Sequence, residues 1–453
     1  MRRRFTGGSL RLARSRWTVR AVAGLTGTVL FFTAACSGKG AEKVTIQGKD
    51  DPAAPAVSIS PGDGSGKARP EKGVVVKAAG GTLETVTLTA KGKQVTGAMS
   101  ADRTSWKSRT LTPGTAFQVS ATAKSPEGKT TTATSKFRTL KAVNTLSILS
   151  MSPTPGTKVG VGMPITITFN RQVTDRRAVE RALVVRSQKA ATGAWFWVNN
   201  QTVIFRTKNN SYWKPNQTIS FAARLAGVKA AKDTYGTADI SRRFTIGDSH
   251  IITVNAKTHR LTVKKNGEVI KTWGISAGKG GLVRNGVDVY QTTSGVHLTM
   301  SKHRVERMTS AWMGVDPKDK KNGGYDEKIP FAVRISNSGE YIHSMASTVW
   351  AQGRQNVSHG CINSPPASAE WFYNWSYLGD VVIVTGTERG LDWNNGWSYY
   401  QMPWKQWVQG SAFDRSVSTA VTKPSTSPTP ATSVIPSAPL GTGPSTAPPV
   451  AAN

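Results

Sequence analysis

The chain has 453 residues, 59 Lys and Arg against 26 Asp and Glu, a formal net charge of +33 and two cysteines. That length excludes one compact domain, because a single hydrophobic core stops growing well below it. The basic excess suits an anionic partner and says nothing about the fold.

Residues 1–35 carry seven arginines (Arg2, Arg3, Arg4, Arg11, Arg14, Arg16, Arg20), no acid, and the charge-free run 21-AVAGLTGTVLFFTAA-35. Fifteen residues are short for a bilayer crossing and suit the apolar core of a secretion signal. A single-pass anchor is the weaker alternative. The segment 33-TAAC-36 has the small residues of a cleavage site and resembles a bacterial lipobox, with Thr33 where Leu is usual. Cys36 is therefore the expected lipidation site of an exported protein, anchored to the outer face of the cell membrane and reaching into the wall. Without residues 1–35 the net charge is 33 − 7 = +26. No basic stripe with interleaved aromatics argues for nucleic acid, so anionic wall polymer and lipid head groups are the expected surroundings.

Residues 36–71 are rich in Gly, Pro, Ser and Asp and read as a flexible tether. From Lys72, short alternating runs rich in Val and Thr, such as 83-LETVTLTA-90 and 116-AFQVSATA-123, predict an antiparallel β-sandwich. The pattern recurs: 113-PGTAFQVSATA-123 with 136-KFRTL-140 parallels 215-PNQTISFAARL-225 with 243-RFTIG-247, each preceded by a Trp (Trp106, Trp213). Two tandem Ig-like sandwiches are expected, at 72–141 and 142–247. No Cys pair staples them, so they are Ig-like in architecture only.

The segment 248–386 reads as mostly β. It opens on a hairpin, 250-HIITVNAKTHRLTVKKNGEVIKTWGIS-276, with Asn266-Gly267 as its turn. Strands follow at 329–336, 340–344 and 380–386. Between the last two, 366-PASAEWFYNWSYL-378 predicts a helix capped by Pro366 and Ser368 at its start and Gly379 at its end. Residues 387–414 hold four Trp within 393-WNNGWSYYQMPWKQWVQG-410. A carbohydrate platform is one reading; an arm using Trp as packing mass against the preceding domain is favoured, since the run is too short to fold alone. Residues 415–453, with eight prolines and no acid, predict a disordered tail.

The chemistry centres on 358-SHGCIN-363. If Cys36 is lipidated, Cys361 has no disulfide partner in the chain. No Cys-x-x-Cys or His-Glu-x-x-His supplies a metal site, and neither metal nor cofactor is expected. A thiol nucleophile needs a base near neutral pH, and His343 and His359 are available. Gly360 permits close backbone approach, and the amides of Gly360 and Cys361 are candidate oxyanion donors. His250, His259, His297 and His303 read as strand-surface residues. From these local residues, a buried core thiol and an acyl-transfer nucleophile are equally open.

His343, fourteen intervening residues, and then Ser358-His359-Gly360-Cys361-Ile362-Asn363 resemble the signature of the YkuD-type L,D-transpeptidase family. The likeness extends over most of 250–386, and the tandem modules, Trp-rich arm and lipid-type N-terminus resemble its multidomain actinobacterial members. The resemblance implies Cys361 as nucleophile and His343 as base and later acid, its ring held by the Ser344 carbonyl. His359 and Gly360 would line the oxyanion region. Asn363 would support the loop by hydrogen bonding, Ser358 and Asn363 would belong to the substrate-binding set, and Met308 and Tyr325 would contact substrate from a lid at 308–325. The implied substrate is the tetrapeptide stem of peptidoglycan, joined by 3→3 cross-links with loss of D-alanine, and carbapenem-type β-lactams are implied inhibitors. A wall hydrolase on the same scaffold and a catalytically idle binding lipoprotein are the alternatives. Two features depart from the pattern. In 343-HSMAS-347 the family's Pro and Trp are missing, with Ser347 in place of an aromatic wall. The lid region is basic, with Lys318, Lys320, Lys321 and Lys328, either as a solvated loop or to attract stem carboxylates.

Overall fold

The computed structural model describes residues 43–46 and 53–421. Cys36, the signal segment and residues 422–453 lie outside them. The fold is mostly β, as three successive bodies of packed sheet with few helices.

The first sandwich sets a five-stranded sheet against a four-stranded one. Alternation does the work: along Thr130–Arg138 every second residue is buried, and that strand pairs with Ala116–Lys124. The tether expected at 36–71 ends early. Ala56–Ser60 is a strand of this sandwich, with Val57 and Ile59 fully buried, because its own alternation offers an apolar face to the core. In the second sandwich Gln217–Arg224 pairs with Asp239–Ile246, and Trp195, Phe205, Trp213 and Phe221 fill the core.

The third body is built from two main sheets, with a two-stranded ribbon of Val283–Arg284 and Val287–Asp288 beside them. We label its strands β1 (His250–Asn255), β2 (Arg260–Lys265), β3 (Glu268–Gly274), β4 (Gly295–Leu298), β5 (Ser301–Thr309), β6 (Asp326–Arg334), β7 (Tyr341–Ser344), β8 (Ile362–Ser364) and β9 (Val381–Thr385), with helix α1 at Pro366–Trp375. One sheet has the order β3-β2-β1-β9-β4 and the other β5-β6-β7-β8. The expected opening hairpin is a three-stranded meander: Asn266 and Gly267, with φ of 51° and 97°, turn β2 into β3, while β1 pairs with β2 ahead of it. Helix α1 stops at Ser376, short of Gly379, and has no side-chain cap; Pro at its first turn needs no N–H partner there. Its Phe372 joins Ile252, Val263, Ile342 and Ile362 in the core between the sheets.

Two histidines read as surface residues are buried. His250 Nδ1 lies 2.9 Å from Asp380 Oδ2, with its ring stacked on Trp375 and Tyr377. His297 sits between the Thr293 and Ile335 carbonyls. His303 is exposed and His259 half-buried.

The Trp-rich arm packs mainly on the second sandwich. Trp407, fully buried, donates from Nε1 to the Ala194 carbonyl (3.0 Å). The buried Arg206 guanidinium lies 4.4 Å from the Trp407 ring centroid, 5.0 Å from Tyr400 and 5.3 Å from Trp404, and donates to the Met402 carbonyl (2.8 Å). The arm also touches the third body, where the Val296 N–H donates to Gln401 Oε1 (2.7 Å). Within the tail expected from 415, Val417–Ser418 is ordered and pairs with Thr192–Gly193 at the edge of the second sandwich. The second and third bodies share a core through Leu298 and Val381, and the Gly160 and Gly162 amides donate to the Leu378 and Gly379 carbonyls (2.8 and 2.9 Å).

Candidate active site

Strands β7 and β8 are parallel neighbours, with His343 paired to Asn363 and Ile342 to Ile362. Ile342 and Ile362 are both fully buried in the core. Alternation then sends Tyr341, His343, Cys361 and Asn363 to the opposite face. Two local apolar preferences thus bring the thiol and the imidazole to one side of one sheet, and both line a cavity of about 230 Å³.

His343 is 2% exposed, and its Nδ1 lies 2.9 Å from the Ser344 carbonyl. A carbonyl only accepts, so Nδ1 carries the hydrogen and Nε2 keeps its lone pair for proton transfer. Burial lowers the His343 pKa to about 4, against the upward pull of the Ser344 bond. Cys361 is partly exposed as a residue, yet burial of its thiol pushes the pKa up to about 12. The Tyr341 N–H bonded to the sulfur works the other way, and the Glu340 charge adds to the rise. The thiol lies 3.6 Å from the Gly339 carbonyl. Both shifts favour the neutral forms, a thiol and a neutral imidazole, over a thiolate–imidazolium pair.

The loop ahead of Cys361 is tied by its own side chains. Ser358 Oγ donates to the Cys361 carbonyl (2.6 Å) and accepts the Gly360 N–H (3.1 Å). Gly360 has φ of 124°, a backbone state closed to other residues. The expectation that the Gly360 amide is an open oxyanion donor is corrected: its N–H is taken by Ser358. The Cys361 amide has no partner among the described residues. Asn363 exchanges backbone bonds with Ser276 (3.0 and 2.9 Å) and donates from Nδ2 to Thr348 Oγ1 (3.1 Å), bracing the loop beyond β7.

His359 is held between two phenol rings, Tyr325 at 5.0 Å and Tyr290 at 4.5 Å. Burial, then the Lys279 charge, lowers its pKa. Tyr325 belongs to the lid between β5 and β6, and the indole N–H of Trp312 donates to its hydroxyl (2.7 Å). Burial raises the Tyr325 pKa to about 12, so the phenol stays neutral. Met308, Tyr325, His359 and Cys361 also border a second cavity of about 260 Å³, so the sulfur stands where two hollows meet. Ser347 lines the smaller one and is exposed. Lys318, Lys320, Lys321 and Lys328 are all exposed, and none lines either cavity. The cations that do are Arg307, Arg334 and Arg389.

Sequence reading passed over Tyr290, Trp312, Tyr341 and Thr292, whose Oγ1 donates to the Gly360 carbonyl (2.8 Å). Tyr290 and Thr292 lie in no motif and reach the site from a distant segment; Tyr341, two residues before His343 on β7, was signalled by alternation, and Trp312 by its aromatic character within the lid.

The chain is similar to known proteins of one family. A bacterial Ig domain model matches residues 65–229, across both sandwiches, and an L,D-transpeptidase catalytic domain model matches residues 249–384. The chain is 34% identical over 396 residues to L,D-transpeptidase 2 of Mycobacterium tuberculosis strain CDC 1551, covering 85% of this chain and 93% of that protein. It is 31% identical over 384 residues to L,D-transpeptidase 5 of Mycobacterium tuberculosis strain H37Rv, covering 83% and 81%. Among solved structures, L,D-transpeptidase 3 from Mycobacterium tuberculosis in complex with a faropenem-derived adduct is similar at 30% identity and a TM-score of 0.42, covering 53% of this chain and 98% of that one.

Proposed function

The chain belongs to the L,D-transpeptidase family of cell-wall enzymes, and on that footing we propose that it forms 3→3 cross-links between peptidoglycan stems through an acyl-enzyme at Cys361. The observation that carries the proposal is the pairing of His343, its Nδ1–H committed to the Ser344 carbonyl, with Cys361 across adjacent parallel strands. As the sulfur attacks the carbonyl of the third residue of a tetrapeptide stem, its proton passes to His343 Nε2. The tetrahedral intermediate collapses, the bond to the terminal D-alanine breaks, and the departing amine takes that proton. A side-chain amine of a second stem then attacks the thioester. The amine's proton leaves through His343, and the thiol is restored. The developing oxyanion is placed at the Cys361 amide, with His359 beside it.

Both pKa shifts fit this order of events. A neutral imidazole accepts a proton throughout the physiological range, and a neutral thiol surrenders it only when attack begins. A β-lactam offers the same thiol a strained acyl bond, which supports acylation of Cys361 by carbapenems. The signal segment and Cys36 support an exported, lipid-anchored protein, with the sandwiches as a stalk setting its reach into the wall.

Incubation with a disaccharide-tetrapeptide, followed by mass analysis, tests the activity. Cross-linked dimer with loss of D-alanine is expected. Free tripeptide without dimer would assign a hydrolase, and unchanged substrate would refute both. A native N-terminal Cys36 bearing diacylglycerol by mass is expected; an unmodified Cys36 removes the anchor.

A further inference from the structure

Glu340 is a buried carboxylate that the reaction above does not use. It is 3% exposed, and among the described residues no cationic side chain lies within ion-pair range of it. Burying an unpaired carboxylate is costly. Its charge also works against a thiolate at Cys361. Neither ion pairing nor activation of the nucleophile accounts for it.

Its bonds do. Thr293, itself 2% exposed, donates its N–H to Glu340 Oε1 (2.6 Å) and its hydroxyl toward both carboxylate oxygens (2.9 and 2.7 Å). The backbone of Glu340 is fixed as well: its N–H donates to Ser336 Oγ (3.1 Å), and its carbonyl accepts the Ile335 N–H (2.9 Å). Its two chain neighbours are the backbone groups on the nucleophile, the Gly339 carbonyl facing the thiol and the Tyr341 N–H bonded to the sulfur. On the other side, Thr292 donates to the Gly360 carbonyl and accepts the Gly278 N–H, both at 2.8 Å. The dipeptide Thr292-Thr293 therefore grips the loop before Cys361 with one hydroxyl and the chain beneath Cys361 with the other.

We propose that Glu340 is a positioning residue: clamped to Thr293, its carboxylate holds the Gly339–Tyr341 backbone on which the Cys361 sulfur rests, in register with the Gly360 loop. The inference rests on Cys361 being the nucleophile.

The test compares Glu340→Gln and Glu340→Val in the full chain. Gln keeps an oxygen for the Thr293 N–H and removes the charge; Val removes both. Cross-linking turnover is expected to fall at least 30-fold in Glu340→Val, with KM changed less than threefold, and to stay within fivefold of wild type in Glu340→Gln. Iodoacetamide alkylation of Cys361 at pH 8 is expected to run at least threefold faster in Glu340→Gln, because removing a nearby negative charge favours the thiolate. Wild-type turnover in Glu340→Val, equal losses in both variants that track a fall in Tm, or unchanged alkylation in Glu340→Gln would overturn the proposal. If the wild-type chain forms no dimer, the cross-linking reading fails on its own and the alkylation comparison still decides the role of Glu340.

Discussion

The Tyr325 ring of the lid lies flat on the His359 ring of the catalytic loop, with centroids 5.0 Å apart and planes 16° apart. This contact joins two segments more than thirty residues apart in the chain, and both rings border the two cavities that Cys361 lines. In the proposed reaction water competes with the acceptor amine for the thioester, so this contact is expected to govern how the acyl group partitions.

Tyr325→Ala removes the ring and the acceptor for the Trp312 indole. A stacked aromatic pair contributes about 1 kcal/mol beyond burial, so the ratio of dimer to hydrolysed tripeptide is expected to fall about five- to tenfold. Tyr325→Phe keeps the stack and should stay close to wild type. Quantifying both products from one reaction checks the pair; equal ratios in wild type and Tyr325→Ala would remove the lid from the partition.

Cys361→Ala is expected to abolish dimer formation and the carbapenem mass increment, while leaving Tm nearly unchanged. The residue is partly exposed, its thiol meets only backbone groups, the Gly339 carbonyl at 3.6 Å and the Tyr341 N–H, and the substitution removes a single sulfur. Residual covalent adduct on the variant would place the nucleophile elsewhere.

The depressed His343 pKa, about 4 against an ordinary 6.5, makes two pH predictions. Acylation by a carbapenem should show no loss between pH 7 and 5 from protonation of the base, and should fall as pH approaches 4. Stability follows the same group. Between pH 6.5 and 4 the unfolded chain binds the proton and the folded one does not, so stability from this site is complete above 6.5 and is lost as pH falls through 4. The full effect is about 3 kcal/mol. Urea unfolding of wild type and His343→Gln across that range measures it; parallel curves would contradict the burial argument.

Arg206 is fully buried beneath three aromatic rings of the arm and stays charged, since burial lowers its pKa only to about 10. Arg206→Ala removes those ring contacts and the bond to the Met402 carbonyl, at a cost of about 3 kcal/mol. Arg206→Lys should recover little, because an ammonium cannot reproduce the planar fork. Denaturant midpoints and limited proteolysis of residues 389–421 report the loss.

Legibility followed locality. The alternating runs became strands at 82–90 and 116–124, and once β7 and β8 pair, burial of Ile342 and Ile362 turns the neighbouring His343 and Cys361 to one sheet face. The elements misjudged were those whose partners are remote. Ala56–Ser60 looked like part of a tether until a sheet supplied neighbours, and His250 looked exposed until Asp380, Trp375 and Tyr377 closed around it. The helix boundary was set by the chain turning at Ser376, not by the glycine three residues on.

Sequence alone determined the mostly β class, the tandem modules and the motif that joins a cysteine to a histidine, because each is written in short-range pattern: period-two burial, a repeat, and a motif whose residues sit on adjacent strands. Tertiary structure alone decided that the Trp-rich arm bolts onto the second sandwich through Arg206 and that the Gly360 amide is occupied. It also decided that His359 is wedged between two tyrosines and that a buried glutamate underlies the reactive sulfur. Those facts depend on which distant segments share a desolvated space. Desolvation is the largest cause of both the Cys361 and His343 pKa shifts, so the motif was readable from the chain and its electrostatics were not.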